Sequence, residues 1–369
     1  PVQNPLSGPN PPMTSLPASN AFVCELLTQD TSVPSYNPAW VAFLNPYTVV
    51  LPDAEDKLEI SIEQINSNSY DGDKLSESVA TLLLTNANNI NALISYDGAI
   101  AIPRSADYHS SDIALDNINR IFCAILLGGI HAEVIGPREL LDGSLQSKTN
   151  IFVYNLTLHT RLRSKWASIV ERLAPLMNPR IIRVSELRNA YREGINVINA
   201  INNLSPFFLL HGYTAMVYQN RSDALSSLWV VVEQLTFFLW KNRFLSTPDF
   251  HPVEMKNRLD SLKQDNRTWS TAVKHELLWQ TKFLSENCFA ALSSARKQRN
   301  NLVHEGVIPD SDVIKNLWGC IFELFESASG VSPIGMRRLA FFEVPDLRFP
   351  EKNNFDEWLV LSEKLRGRG

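Results

Sequence analysis

The chain has 369 residues, 44% of them hydrophobic and 20% charged, with a formal net charge of −5. Such a chain is long enough for two globular domains, each with a sizeable core. An acidic balance excludes coating nucleic acid through overall charge, so any contact with RNA or DNA must come from a local basic patch.

Residues 1–20, PVQNPLSGPNPPMTSLPASN, are rich in Pro, Ser and Asn and predict an irregular, extended arm. They lack a basic n-region followed by an apolar h-region, so no secretory signal is expected. Residues 21–160 have the texture of a mixed α/β domain. KLEISIEQI (57–65) alternates Leu58, Ile60 and Ile62 on one face, as a strand does. INALISYDGAIAIPR (90–104) is a hairpin candidate with Asp97–Gly98 at its turn. SSDIALDNINRIFCAILLGG (110–129) opens with a Ser/Asp cap and repeats Ile113, Ile118, Ile121, Phe122 and Ile125 at helical spacing. Gly128–Gly129 reads as its stop. NIFVYNLTL (150–158) is a further strand.

From 161 onward the strand signals fade. SELRNAYREGINVINAINNLS (185–205) predicts an amphipathic helix capped by Ser185, and SPFFLLHGYTAMVYQN (205–220) a more buried one. RSDALSSLWVVVEQLTFFLWKNRF (221–244) places Leu225, Leu228, Val232, Leu235 and Leu239 at alternating spacings of three and four, which is a bundle seam. Helices are also predicted at roughly 252–265, 268–284, 286–305 and 310–328, the last capped by Asp310 or Ser311. Short loops between successive helices imply an antiparallel all-α bundle over 161–330. Residues 331–369 form a C-terminal extension with one helix candidate, FDEWLVLSEKLR. The expected fold class is therefore α+β.

Cys24, Cys123, Cys288 and Cys320 form no CxxC pair, so the expected state is reduced, buried thiols rather than a zinc knuckle or a disulfide framework. The densest apolar run, 228–240, is interrupted by Glu233 and Gln234 and is shorter than the roughly 20 residues a bilayer span needs. A soluble, cytoplasmic protein is expected.

The stretch SSARKQRNNLVHEG (293–306) is not what packing alone selects. Asn competes for backbone hydrogen bonds and costs helix propensity, yet Asn300 and Asn301 are consecutive. Gly306 and Pro309 supply a stop, which puts His304 in the last turn, where the helix dipole favours imidazolium. Arg299 offers a permanently charged fork suited to phosphate oxygens. Together they supply what cleavage of an RNA phosphodiester needs: proton transfer at the 2′-OH and the leaving oxygen, and charge stabilisation at phosphorus. Asn300 either holds the histidine or a phosphate by hydrogen bond, or is simply solvated. Arg296 and Lys297 either guide the RNA backbone or form a solvated face. Glu233, on an otherwise apolar helix, either orients Arg299 by ion pair or makes a bundle contact.

RNNLVH resembles the Arg-x4-His motif of HEPN domains, including the polar residue directly after the arginine, and it sits on a late helix of a small α bundle. SLWVVVEQL is similar to the first core helix of the ApeA-like HEPN branch, where a Trp and a Glu recur four residues apart; Trp229 and Glu233 hold those positions. The resemblance covers roughly residues 220–330. It implies a metal-independent endoribonuclease of defence, toxin or RNA-processing systems that works as a homodimer and leaves 2′,3′-cyclic phosphate ends. Arg299, His304 and Asn300 are then the catalytic residues, RNA (tRNA among the candidates) is the substrate, and no cofactor or metal is expected. An antiviral or growth-arrest effector of this kind needs restraint by an inhibitory or trigger-sensing partner, or by the α/β half. The alternative is a noncatalytic HEPN-like module for dimerisation or nucleic-acid binding.

Helix geometry gives a reason for pairing. Five residues turn about 500°, so Arg299 and His304 point about 140° apart and stand about 7.5 Å apart along the axis. Two copies meeting at a dyad can pool both residues in one cleft. Other chemistries lack their residues: HELLW at 275 has no second histidine for zinc, and neither a phosphate-cradling glycine loop nor a G-x-S-x-G elbow occurs. Gly306 stands where the nucleotidylylation-linked HEPN variant carries its tyrosine.

Overall fold

The computed structural model describes residues 37–47, 49–55, 76–84, 91–145, 150–153, 181–246, 261–262, 265, 267–330, 359–360 and 363. The predicted arm at 1–20, the strand at 57–65, most of the helix at 252–265, most of the C-terminal extension and the boundary near 160 lie outside these residues.

Alternating apolar residues build the sheet. Strands β1 (Asn37–Phe43), β2 (Val49–Leu51), β3 (Ser78–Leu83), β4 (Asn91–Ser95) and β5 (Ala99–Pro103) come first in the chain. The predicted hairpin is β4–β5, with Leu93 opposite Ala101 and Ile94 opposite Ile100. After helix α1 (Ser111–Leu127) come β6 (Leu141–Leu145) and β7 (Ile151–Val153). The six-stranded sheet has the order β3-β4-β5-β1-β6-β7 and is antiparallel throughout. Successive residues of a strand face opposite sides. Accordingly Ile100 and Ile102 of β5 join the helical core, while Ala99 and Ala101 join a second cluster with Val41, Leu141 and Ile151.

One strand lies in the half predicted to be helical. β8 (Ile181–Arg183) pairs in parallel with β2, Ile182 against Val50, and leads directly into α2 (Val184–Ala200). Only three residues long, it is too short to show a period of two. Ser185, the predicted cap of α2, lies instead inside its first turn. Its N–H donates to Asp53 Oδ1 at 3.2 Å, and the Arg183 N–H donates to Glu186 Oε2 at 3.1 Å. Two carboxylates, one from outside the helix, thus satisfy donors that the helix start leaves open.

The remaining helices are α3 (Pro206–Val217), α4 (Arg221–Leu239), α5 (Thr271–Gln280), α6 (Glu286–Glu305) and α7 (Ser311–Ser329). The fold is α+β, with seven α-helices among the described residues. All five seam residues of α4, from Leu225 to Leu239, are fully buried. They belong to one apolar cluster that also holds Ile100 of β5, Phe122 of α1, Leu292 of α6 and Leu324 of α7.

Helices α1 and α2 touch backbone to backbone. A Cβ on Gly194 would lie 1.8 Å from the Ala124 carbonyl oxygen, and one on Gly128 would lie 2.1 Å from that of Ala190. Gly128 therefore does more than end α1: with Gly194 it sets how closely α1 and α2 approach.

Candidate active site

Helix α6 carries the Arg-x4-His segment, and its sequence explains both of its ends. Ser285 Oγ accepts from the Cys288 N–H at 3.1 Å and starts the helix. Cys288, Leu292 and Ala295, spaced four and three apart, are its buried face. At the far end Gly306 takes the left-handed conformation, φ 70°, and its N–H donates to Leu302 O at 3.1 Å. The turn into α7 is clamped: Gln298 Nε2 donates to Asp310 Oδ2 at 2.6 Å, while the Asp310 N–H donates to Gln298 Oε1 at 2.7 Å.

His304 lies in the last turn, as expected, and is exposed together with Asn300; Arg299 is half-buried. None of these three side chains makes a hydrogen bond or ion pair with any described residue. The chain brings Arg299 and His304 to one helix end but not into contact, in keeping with their angular separation of about 140°. Three apolar side chains lie exposed beside His304: Val303 at 56%, Val307 at 50% and Ile308 at 59% of their full accessibility. These three side chains leave apolar surface at the helix end open to solvent.

Glu233 is not paired with Arg299. Its carboxylate accepts from Trp229 Nε1 at 2.8 Å, one turn back on α4. Trp229 is buried in the core, and an indole N–H there needs an acceptor. The four-residue Trp–Glu spacing is therefore explained within one helix. Lys297 is exposed on α6, whereas the charge of Arg296 bears on His275 of α5.

His275 itself belongs to the bundle interior. It is 2% exposed, Nε2 lies 2.8 Å from Thr236 Oγ1, and its ring meets Trp229 edge to face at 6.2 Å. Burial, then the charges of Arg296 and Lys274, lower its pKa to about 4. A base whose folded pKa lies below its unfolded value of about 6.5 stays neutral in the fold at neutral pH. Its contribution is complete above pH 6.5 and is lost as the pH falls from there through 4, by about 3 kcal/mol. His275→Gln should flatten the unfolding midpoint between pH 6.5 and 4, measured by thermal melts across that range; an unchanged slope would contradict this assignment.

Two clusters have no signal in the sequence. Cys288 and Cys320, expected as thiols, are instead joined in a disulfide between α6 and α7. Their pairing comes from helix packing across 32 residues, and no local spacing announces it. At the junction of sheet and helices, His131 Nδ1 lies 2.8 Å from Tyr213 Oη, and Tyr218 Oη donates to Glu133 Oε1 at 2.9 Å. A cavity of about 410 Å³ opens there, lined by Glu133, Glu139, Thr214 and Tyr218. Among the described residues no three His, Cys, Asp or Glu side chains are grouped as a metal site requires, and no helix is long and apolar enough to cross a membrane. The chain matches no family model, no curated protein and no solved structure.

Proposed function

We propose that the protein is a metal-independent endoribonuclease of the HEPN type, acting as a homodimer, and that α6 carries its catalytic groups. One observation carries the reading. Arg299 and His304 stand accessible on the last turns of α6 with no partner among the described residues, beside the exposed Val303, Val307 and Ile308. A cation and an imidazole that no described residue engages are available to a substrate, and the apolar rim offers a surface on which a second copy can seat.

In each working pair His304 of one copy takes the proton of the ribose 2′-OH as that oxygen attacks phosphorus, and gives it to the departing 5′-oxygen. The Arg299 guanidinium of the other copy holds the charge that builds on the phosphoryl oxygens. Asn300, exposed next to Arg299, holds a phosphate oxygen in this reading, and the exposed Lys297 meets the backbone further along. The products are a 2′,3′-cyclic phosphate and a 5′-hydroxyl. The resemblance to HEPN domains implies a growth-arrest or antiviral effector acting on cellular RNA, tRNA included, in the cytoplasm, and a separate inhibitor or trigger would restrain it.

Incubating the purified protein with total RNA and with tRNA in excess EDTA tests the reading. Cleavage that leaves cyclic phosphate ends supports it. RNA that stays intact while the protein binds it would favour the noncatalytic HEPN-like module instead.

A further inference from the structure

The cysteine pair of α6 and α7 has surroundings that a purely structural disulfide does not need. Cys288 and Cys320 are each almost fully buried, and the surface they do expose opens into a groove of about 560 Å³ between the two helices. Small side chains form much of its rim: Ala290, Ala291 and Ser294 on α6, Asn316 and Gly319 on α7. A Cβ added at Gly319 would meet nothing within 4 Å. Such a rim leaves room for an attacking thiolate, the first requirement of thiol–disulfide exchange. Cys123, the free cysteine among the described residues, is wholly buried on α1, and burial pushes its thiol pKa up. It is no competitor for the reaction.

We propose that Cys288–Cys320 is a reversible redox-modification site, that its co-reactant is a dithiol reductant entering the α6–α7 groove, and that it sets how firmly the Arg299–His304 end of α6 is held. The balance is simple. One thiolate of the dithiol attacks one sulfur of the pair and displaces the other, which takes up a proton. The second thiol of the reductant then resolves the mixed disulfide. Two protein thiols and one oxidised dithiol result, with two electrons and two protons passed to the protein.

The bridge lies between two polar ties. Ser285 Oγ donates to Glu323 Oε2 at 2.7 Å near the start of α6, and the Gln298–Asp310 clamp closes the turn at its end. Among the described residues, reduction leaves the middle of α6 held to α7 by apolar packing and weak sulfur–carbonyl contacts, so the last turns open more often. In a reducing compartment a disulfide is a transient, signalling state. Oxidation would then stiffen the catalytic helix end. The regulatory meaning rests on the endoribonuclease reading; the sulfur chemistry does not.

The full chain, oxidised with diamide and then treated with dithiothreitol under native conditions, tests this without RNA. Two further cysteines should become alkylatable, mapped by peptide mass to Cys288 and Cys320. Amide exchange over 296–305 should accelerate about tenfold on reduction. Cys320→Ser should exchange at the faster rate in either condition, and Gly319→Leu, which fills the groove with both cysteines intact, should slow reduction about tenfold. Thiols that react only after unfolding, or exchange that ignores the redox state, would overturn the proposal. Neither outcome bears on whether the protein cuts RNA.

Discussion

His304→Ala is expected to lower RNA cleavage by about 10³-fold, within the range that removal of a general acid–base group produces. Arg299→Ala should lose about 10²–10³-fold, as loss of a charge-stabilising donor does. Neither change should move the unfolding midpoint by more than about 1 °C, because surface side chains without partners contribute little to stability. His304 is exposed and Arg299 half-buried, and neither makes a hydrogen bond or ion pair with any described residue. Initial rates on a defined RNA, set beside thermal melts of the same preparations, check both halves of the statement. A His304→Ala protein that cleaves at the wild-type rate would remove the histidine from the mechanism. One that loses activity together with several degrees of stability would point to a structural role for it.

The second large effect concerns the fold. Gly194→Ala is expected to destabilise by about 3 kcal/mol or more, although alanine is the better helix former by about 1 kcal/mol. The added Cβ would sit 1.8 Å from the Ala124 carbonyl oxygen, backbone against backbone, so no rotamer change can relieve it. Helix α1 must move away from α2, opening contacts along a buried interface. Gly319→Ala supplies the opposite sign. Gly319 is an exposed position inside α7 where a Cβ meets nothing, and the same substitution should stabilise by about 0.5–1 kcal/mol. Chemical denaturation of both variants decides the matter, and a Gly194→Ala protein as stable as wild type would contradict the close helix approach.

Much of the architecture is legible in the amino-acid sequence, because it rests on periodicity. The α4 seam from Leu225 to Leu239, the hairpin at Asp97–Gly98 and the stop at Gly306 each have a local physical signature, and each lies where that signature puts it. The end of α6 is legible for the same reason: a left-handed glycine and a proline fix where the helix stops, so His304 has to lie in its last turn. Features that depend on partners distant in sequence stay hidden. Nothing near Gly194 announces Ala124, and nothing near Ser185 announces Asp53. Glu233 reads either as a partner for Arg299 or as a bundle contact, because an unpaired carboxylate on an apolar helix is costly. The structure gives it Trp229 of its own helix instead, a contact the four-residue spacing permits but does not require. His275, in the helix predicted over 268–284, is buried against Thr236 and Trp229 of α4, partners that no local spacing announces. The disulfide between Cys288 and Cys320 belongs to the same class, set by how α6 packs on α7.

The proposed mechanism needs two copies of α6 sharing one site, and mixing two inactive variants tests that most directly. Because Arg299 and His304 of one helix point about 140° apart, the working pair takes its arginine from one copy and its histidine from the other. Arg299→Ala and His304→Ala proteins, each inactive alone, should recover about a quarter of wild-type cleavage when unfolded together and refolded at equal amounts: half of the dimers are then mixed, and each mixed dimer has one intact pair. Recovery of that size, with cyclic phosphate ends on the products, is the predicted result. A mixture as inactive as its components, although crosslinking shows that mixed dimers have formed, would contradict the shared site.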